Sequence, residues 1–448
     1  MLGNVGAGLL CCLVMLTPSV SLGATGSEVV VPPADTDANE KVNELRIDLN
    51  MLSHGENRDG GLSSSEIDNK SRFIMGRERL ILDYHRQGLD TRLNIQHNGV
   101  WGQSGKGAFN IFEAWARMSA RNGLFAQIGR VALAYDDQRI IGTNDWAMAS
   151  LSHDVLRVGY EGHGHKAHLI LAYNQNAENL TLGGNFYENG AQYYKSMLTA
   201  WYHYDVPRLP LGASLLFMNI GMQAGNRDND PHVEYQQLLG GYVSYRPNHW
   251  TFEGSYYRQF GHSEEGLKIE AWMASAKADW SPNTRYGLEA GYDFLSGDEY
   301  FAVPPSGSIG YVRQYAIKGF NPIYGSHHKF YGAMDFFYVS TYVFGFTPGL
   351  QNAFIGAHFQ PIKGLSLKAD YHYLAIAADL TDMDKTLGHE VELQGRYAFS
   401  KDISLSLGFS YMTGTETMDK LKRANGDGSL RWGWFSLIVN PRILSTRW

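Results

Sequence analysis

The sequence has almost no cysteine. Its 448 residues contain two, Cys11 and Cys12, side by side near the start. That excludes a disulfide framework and any zinc site built on spaced cysteine pairs. Long hydrophobic runs are missing too. The apolar stretch 5–16 is too short to cross a bilayer as a helix, which takes about 20 residues, and no second stretch is longer. Positive charge is not in excess: the formal net charge is −7, which leaves no electrostatic footprint for nucleic acid. The HExxH, GxSxG, P-loop and CxxC patterns are absent. No pair of carboxylates stands in a context that suggests hydrolysis, so the residues point to no enzyme, cofactor or metal. His163, His165 and His168 could ligate a metal, but they fall at an expected turn, where a solvated bend accounts for them. The same holds for the pair His327-His328 in a loop.

Aromatic residues and glycine are plentiful. There are 27 Tyr, 21 Phe, 10 Trp and 50 Gly, yet mean hydropathy is only −0.29. The pattern that uses them is a two-residue alternation. In 286–294, Tyr286, Leu288, Ala290, Tyr292 and Phe294 alternate with Gly287, Glu289, Gly291 and Asp293. Segments 365–373 and 403–411 repeat it. A strand places successive side chains on opposite faces, so each segment has one oily and one wet face. Aromatic ends on the oily faces, charge on the wet ones and recurrence along the chain fit a transmembrane β-barrel, apolar toward lipid and polar toward a lumen.

The expected organisation is a signal peptide over 1–24, a periplasmic linker over 25–42 and a barrel over 43–448. Small residues at Ser21, Gly23 and Ala24 suit signal cleavage; a lipoprotein cut before Cys11 or Cys12 is the alternative. The alternation predicts about eighteen strands: 43–52, 70–86, 89–101, 109–121, 123–135, 151–162, 165–175, 190–206, 210–225, 233–247, 249–262, 266–281, 283–297, 350–361, 364–377, 388–400, 402–414 and 429–441. Every second connection is tight and rich in Gly, Asn, Asp and Pro, such as Gln87-Gly88 and Pro247-Asn248-His249. The others, including 53–69, 136–150, 298–349 and 415–428, are mostly longer. Short periplasmic turns alternating with long outer loops are the barrel habit. Pro441 interrupts the closing strand, and the residues after it read as a short tail.

Charges facing lipid cost about 2–4 kcal/mol each for Arg or Lys at the midplane, so alternation should turn most of them inward. The inward cations include Arg77, Arg79, Arg92, Arg117, Arg130 and Arg157, against acids such as Asp83, Glu113, Glu289, Asp293 and Asp370. Carboxylate–guanidinium pairs that only satisfy one another account for much of this set. An uneven spread would leave a basic sector at Arg77, Arg79, Arg92 and Arg117, suited to carboxylates. Loop 298–349 is too long for a plain connection and too aromatic to stay in water, so it should fold inward, narrow the pore and turn Lys329 and Arg313 to the substrate path.

Residues 129–147, GRVALAYDDQRIIGTNDWA, resemble the signature of the alginate export family of outer-membrane barrels, at Gly129, Arg130, Tyr135, Asp137, Gln138, Arg139, Ile141, Gly142 and Trp146. Phe320 to Tyr324, His328 to Gly332, and Gly349-Leu350-Gln351 match as well, as do Arg77-Glu78-Arg79 and Val100-Trp101-Gly102. Val131, Asp136 and the SLSHD stretch 150–154 depart from the pattern. The resemblance implies an eighteen-stranded barrel that secretes an anionic polysaccharide through an arginine-lined lumen. Arg130, Asp137 and Arg139 are expected to form a charge network near the outer mouth. The expected setting is the outer membrane of a Gram-negative bacterium. The expected partners are membrane lipid and lipopolysaccharide, an anionic polysaccharide or small organic acid, the barrel assembly machinery, and periplasmic secretion or biosynthesis proteins. A nutrient-uptake porin, a barrel enzyme and a non-conducting structural barrel are the other readings.

Overall fold

The computed structural model describes residues 42–60, 70–103, 107–188, 190, 192–298, 316–337, 347–380, 382–422 and 429–448. The expected signal peptide and all of the linker but Val42 lie outside this set, as does Arg313.

The wall begins with β1 (Glu44–Asp59), β2 (Lys70–Arg86), β3 (Leu89–Val100), β4 (Ala108–Ser119), β5 (Leu124–Val131), β6 (His153–Gly162) and β7 (His165–Tyr173). It continues through β8 (Ser196–Asp205), β9 (Leu211–Asn226), β10 (Asp230–Tyr245), β11 (Trp250–His262), β12 (Lys268–Trp280) and β13 (Tyr286–Leu295). Then come β14 (Ala316–Ile317), β15 (Leu350–Phe359), β16 (Leu365–Ala375), β17 (Thr386–Ala398), β18 (Ile403–Gly414), β19 (Ser429–Val439) and β20 (Arg442–Arg447). Helices α1 (Asn179–Leu182) and α2 (Glu416–Lys422) lie in outer connections.

Each long strand pairs antiparallel with the next, and β19 returns to β1, so the sheet closes into an eighteen-stranded barrel without an edge. β14 is a two-residue parallel addition to β12. β20 is not a free tail. Past the break at Pro441, which cannot donate to a ladder, it pairs with the first part of β1, from Glu44↔Arg447 to Asp48↔Arg442. Asn43 and Trp448 exchange backbone hydrogen bonds of 2.9 and 3.1 Å, so the two ends of the described chain meet on the short-turn side.

Side-chain burial follows the expected alternation. Leu288, Tyr292, Leu367 and Tyr371 are exposed on the outer wall, while Glu289, Asp293 and Asp370 are buried inside. Arg285, which the alternation also places among the inward cations, sits exposed in the turn before β13. Two strand limits differ from the sequence reading in ways that matter. β1 runs seven residues further, to Asp59. β5 ends at Val131, four residues short of the expected end. Opposite that end, β4 carries a bulge that skips Phe112, between Ile111 and Glu113. Gly129 sits beside it at φ +126°, and a Cβ there would lie 2.1 Å from the carbonyl oxygen of Ala114. The chain then leaves the wall and turns into the lumen.

The hydrophobic core is consequently not at the wall alone. Leu133, Tyr135, Ile140, Ile141 and Trp146 from one loop pack with Phe320, Tyr324, Tyr331, Met334, Phe336 and Phe337 from another, inside the barrel.

Candidate functional site

Two connections fill much of the lumen: 132–152, between β5 and β6, and the described part of the long loop after β13, 316–337. They pair with each other. Gly142 donates from its backbone to Tyr324 at 2.8 Å, Tyr324 to Ile140 at 3.1 Å and Ser326 to Gln138 at 2.8 Å. The Ser326 hydroxyl accepts the backbone N–H of Asn144 at 2.9 Å. The aromatic rings of the two loops bury against one another and against apolar residues that the wall turns inward, such as Trp201, Trp432 and Trp434.

The wall holds both loops in place. His54, Glu56 and Arg58, on the part of β1 that the sequence reading assigned to a loop, form a buried cluster. His54 contacts Ser436 at 2.7 Å and Glu56 at 3.0 Å, while Arg58 and the Trp432 indole donate to Glu56 at 2.8 and 2.9 Å. Trp146 stacks on His328 with centroids 4.8 Å apart and meets the His54 ring edge-on at 4.7 Å. On β17, Glu390 accepts the backbone N–H of Met334 at 2.9 Å and Glu392 accepts that of Ala333. Within the loop, His328 pairs with Asp335 at 2.7 Å. Burial pushes the Asp335 carboxyl above the usual carboxylate range, against the pull of His328.

Arg77 and Arg79 on β2 face the lumen and are almost fully buried. Asp145, from the first inserted loop, bridges them: Arg79 Nη1 lies 2.6 Å from its Oδ1 and Arg77 Nη1 3.3 Å. Ser150 accepts from both guanidiniums, at 3.1 and 2.7 Å. Loss of part of its hydration would raise the Asp145 carboxyl; the two guanidiniums outweigh it and hold it at about 2. Deeper in the same wall, Arg92 and Arg117 find their acids on the wall itself, and Arg157 reaches the first loop. Arg92 grips Asp83 through two bonds of 2.7 and 3.0 Å and reaches Glu113 at 3.3 Å. Arg117 pairs with Glu161 at 2.8 Å, and Arg157 donates to the Tyr135 hydroxyl at 3.2 Å.

Across the lumen lies a cavity of about 270 Å³, bounded by wall strands from β10 to β17 and by both inserted loops. Seven carboxylates and four Lys or Arg side chains line it, so this side is acidic. Arg139 is buried at its rim, 3.2 Å from Asp137, 3.1 Å from Asp293 and 2.8 Å from the Tyr331 hydroxyl, with its guanidinium 3.8 Å over the Phe330 ring. Lys368 bridges Glu289 at 2.7 Å and Asp370 at 3.1 Å. Gly356 makes that cluster possible, since a Cβ there would lie 2.1 Å from Asp370 Oδ1. Lys329 reaches into the cavity from the second loop. The walls push its ammonium below the usual lysine range by desolvation, and Asp137 and Glu253 oppose that.

Seven of the arginine and aspartate positions singled out in the sequence therefore face the interior: Arg77, Arg79, Arg92, Arg117, Arg157, Asp137 and Arg139. Lys329 does so as well. Arg130 does not. It shares the outward face of β5 with Leu124 and Ile128 and binds Asp154 at 2.7 Å on the outer wall. The charge tolerates that face because it lies at the strand end and carries its counter-ion with it. Asp137 and Arg139 do form a network, but with Asp293 and Tyr331, inside the barrel. His54, Glu56, Arg58 and Asp145 escaped the sequence reading. The first three lie on a strand stretch without an apolar face, and Asp145 gives no signal until its loop is known to enter the lumen.

A closed eighteen-stranded wall with a polar, charged interior is that of an outer-membrane channel. The chain belongs to the alginate export family, whose model matches residues 87–426. A comparison with curated protein sequences finds no match. Among solved structures, Pseudomonas aeruginosa OccK9 (OpdG) is similar at a TM-score of 0.59 and 13% identity, over 89% of this chain and 98% of that one. Pseudomonas aeruginosa OccK5 (OpdH) is similar at 0.56 and 10%, over 89% and 98%. Acinetobacter baumannii OccAB1 gives 0.58 and 11%, over 89% and 97%. At these identities the likeness is one of fold, and it points to a bacterial outer membrane.

Proposed function

We propose that this protein is a gated passive channel in the outer membrane of a Gram-negative cell, passing a polar, carboxylate-bearing substrate such as a uronate polymer. The observation that carries this reading is the row of inward guanidiniums on β2, β3, β4 and β6, at Arg77, Arg79, Arg92, Arg117 and Arg157. Guanidinium matches a carboxylate through two parallel hydrogen bonds, and five of them on one wall can pass such groups from one to the next. Family membership supports export of a polysaccharide. The inserted loops would then have to withdraw for a polymer to pass, with periplasmic synthesis or secretion proteins delivering it.

A second reading is a porin for small solutes. It is favoured by the cavity of about 270 Å³, which suits one small molecule and not a chain, and by the carboxylates opposite the arginine wall.

Reversal potentials in planar bilayers under a salt gradient test the first reading. Anion preference that falls when Arg92 and Arg117 are replaced by Gln supports it. Cation preference that survives those substitutions would transfer the assignment to the small-solute porin.

A further inference from the structure

The neighbours of Arg77 and Arg79 differ from those of the deeper arginines. Arg92 and Arg117 are neutralised by acids on the barrel wall. The acid beside Arg77 and Arg79 is brought in by a loop. Every acceptor that Arg77 uses belongs to that loop: the Asp145 carboxylate, the carbonyls of Asp145 at 2.7 Å and Ala147 at 3.3 Å, and the Ser150 hydroxyl. Its Nε is buried and has no hydrogen-bond partner among the described residues. On the neighbouring strand the pattern continues. The Gln96 amide donates to the carbonyls of Met148 and Ala149 at 3.1 and 3.2 Å, and the Asn98 amide donates to Met148 at 3.2 Å. The wall thus offers donors and the loop offers acceptors. The outer side of Asp145 is open to lumen water, its side chain 55% exposed, while the guanidiniums behind it are 3% and 6% exposed.

We propose that Asp145 is a built-in competitor on this face of β2 and β3, occupying the place of a substrate carboxylate on Arg77 and Arg79 while the channel is at rest. The proposal rests on the carboxylate-channel reading and adds its internal competitor. A uronate unit presents one carboxylate with ring and hydroxyl oxygens around it, which corresponds to the Asp145 carboxylate with the loop carbonyls around it. The incoming residue takes over both guanidiniums, and the orphan Arg77 Nε gains an acceptor. The released loop loses its ion pairs to β2. Substrate binding and loop withdrawal are then one equilibrium, since two carboxylates cannot hold the same pair of guanidiniums.

The test uses the full chain in detergent micelles, with tetragalacturonate as the acidic probe and maltotetraose as the neutral one, titrated by calorimetry. Asp145→Asn removes the competing charge. It should tighten tetragalacturonate binding by about tenfold or more, because apparent affinity scales with the fraction of sites left free, and leave maltotetraose unchanged. Adding Arg79→Gln should cancel the gain. Unchanged tetragalacturonate affinity in Asp145→Asn, or an equal gain for maltotetraose, would overturn the proposal. If Asp145→Asn does not fold, Ser150→Ala removes the other shared acceptor and should move affinity the same way by about threefold; no change there is equally fatal. Ion current through the wild-type protein in planar bilayers is read separately. Its absence would sink the channel reading, whereas current with no Asp145 effect would sink only the competitor.

Discussion

Glu390, near the outer end of β17, accepts a hydrogen bond from the backbone N–H of Met334, a residue 56 positions earlier in the chain. With Glu392 on Ala333, it fixes the turn 332–334 of the second loop to the barrel wall. Replacing both glutamates by Leu leaves two buried N–H groups without acceptors, at a cost of about 1–3 kcal/mol each. The loop should leave the wall more often, and single-channel conductance in planar bilayers should rise while the variant still migrates as a folded barrel on unheated gels. Unaltered conductance would mean that Trp146 and the His328 stack hold the loop without them.

Removing the second loop outright is the stronger form of that experiment. Deletion of 320–337 takes out Tyr324, Tyr331 and Phe337 and ends the pairing with Gly142. Conductance should increase several-fold in a correctly inserted barrel, since these residues now occupy the lumen. An unchanged value would show that the first loop alone sets the constriction.

The arginines at the ends of one motif should behave differently. Arg130 and Asp154 form an exposed pair, and such pairs contribute about 0–1 kcal/mol. Arg130→Gln should leave ion selectivity and the melting temperature close to wild type. Arg139 is buried between Asp137 and Asp293, and breaking a buried pair costs about 3–5 kcal/mol. Arg139→Gln should lower the temperature at which the barrel unfolds on heated gels by several degrees. Equal effects for the two would contradict their placement on opposite faces.

Much of this was legible in the sequence because one rule dominated. Lipid outside and polar lumen inside force a period of two, and that rule located eighteen strands and put Glu289, Asp293 and Asp370 indoors. It also went wrong where the rule lapses. The stretch His54 to Arg58 carries no apolar face, since it lies beyond the oily band, so nothing marked it as strand. At Arg130 the charge-inward rule conflicts with the parity set by Leu124 and Ile128, and parity prevails because Asp154 sits on the same face. Asp145 shows the other limit: its role depends on which loop enters the lumen, a tertiary fact without a local pattern.

Acidity should affect the first loop little in the ordinary range. The Asp145 carboxyl titrates at about 2 in the folded protein, below the value near 3.9 of a free aspartate. Its contribution to loop docking is therefore complete above that free value and is lost as pH falls toward 2. Conductance should be flat between about pH 8 and about pH 5 as far as this group controls it. A rise within that interval would assign the gate to another titrating group, with Asp335 the first to replace by Asn.

The break at Pro441 divides the partner of β1 in two. Residues 51–59 lie against β19, and 44–48 lie against β20. The first strand to emerge from synthesis must therefore wait, one side unpaired, until the last six residues of β20 arrive. An unpaired strand edge is an invitation to wrong partners. Truncation before Arg442 would leave the backbone edge of 44–48 permanently without a partner at the periplasmic end.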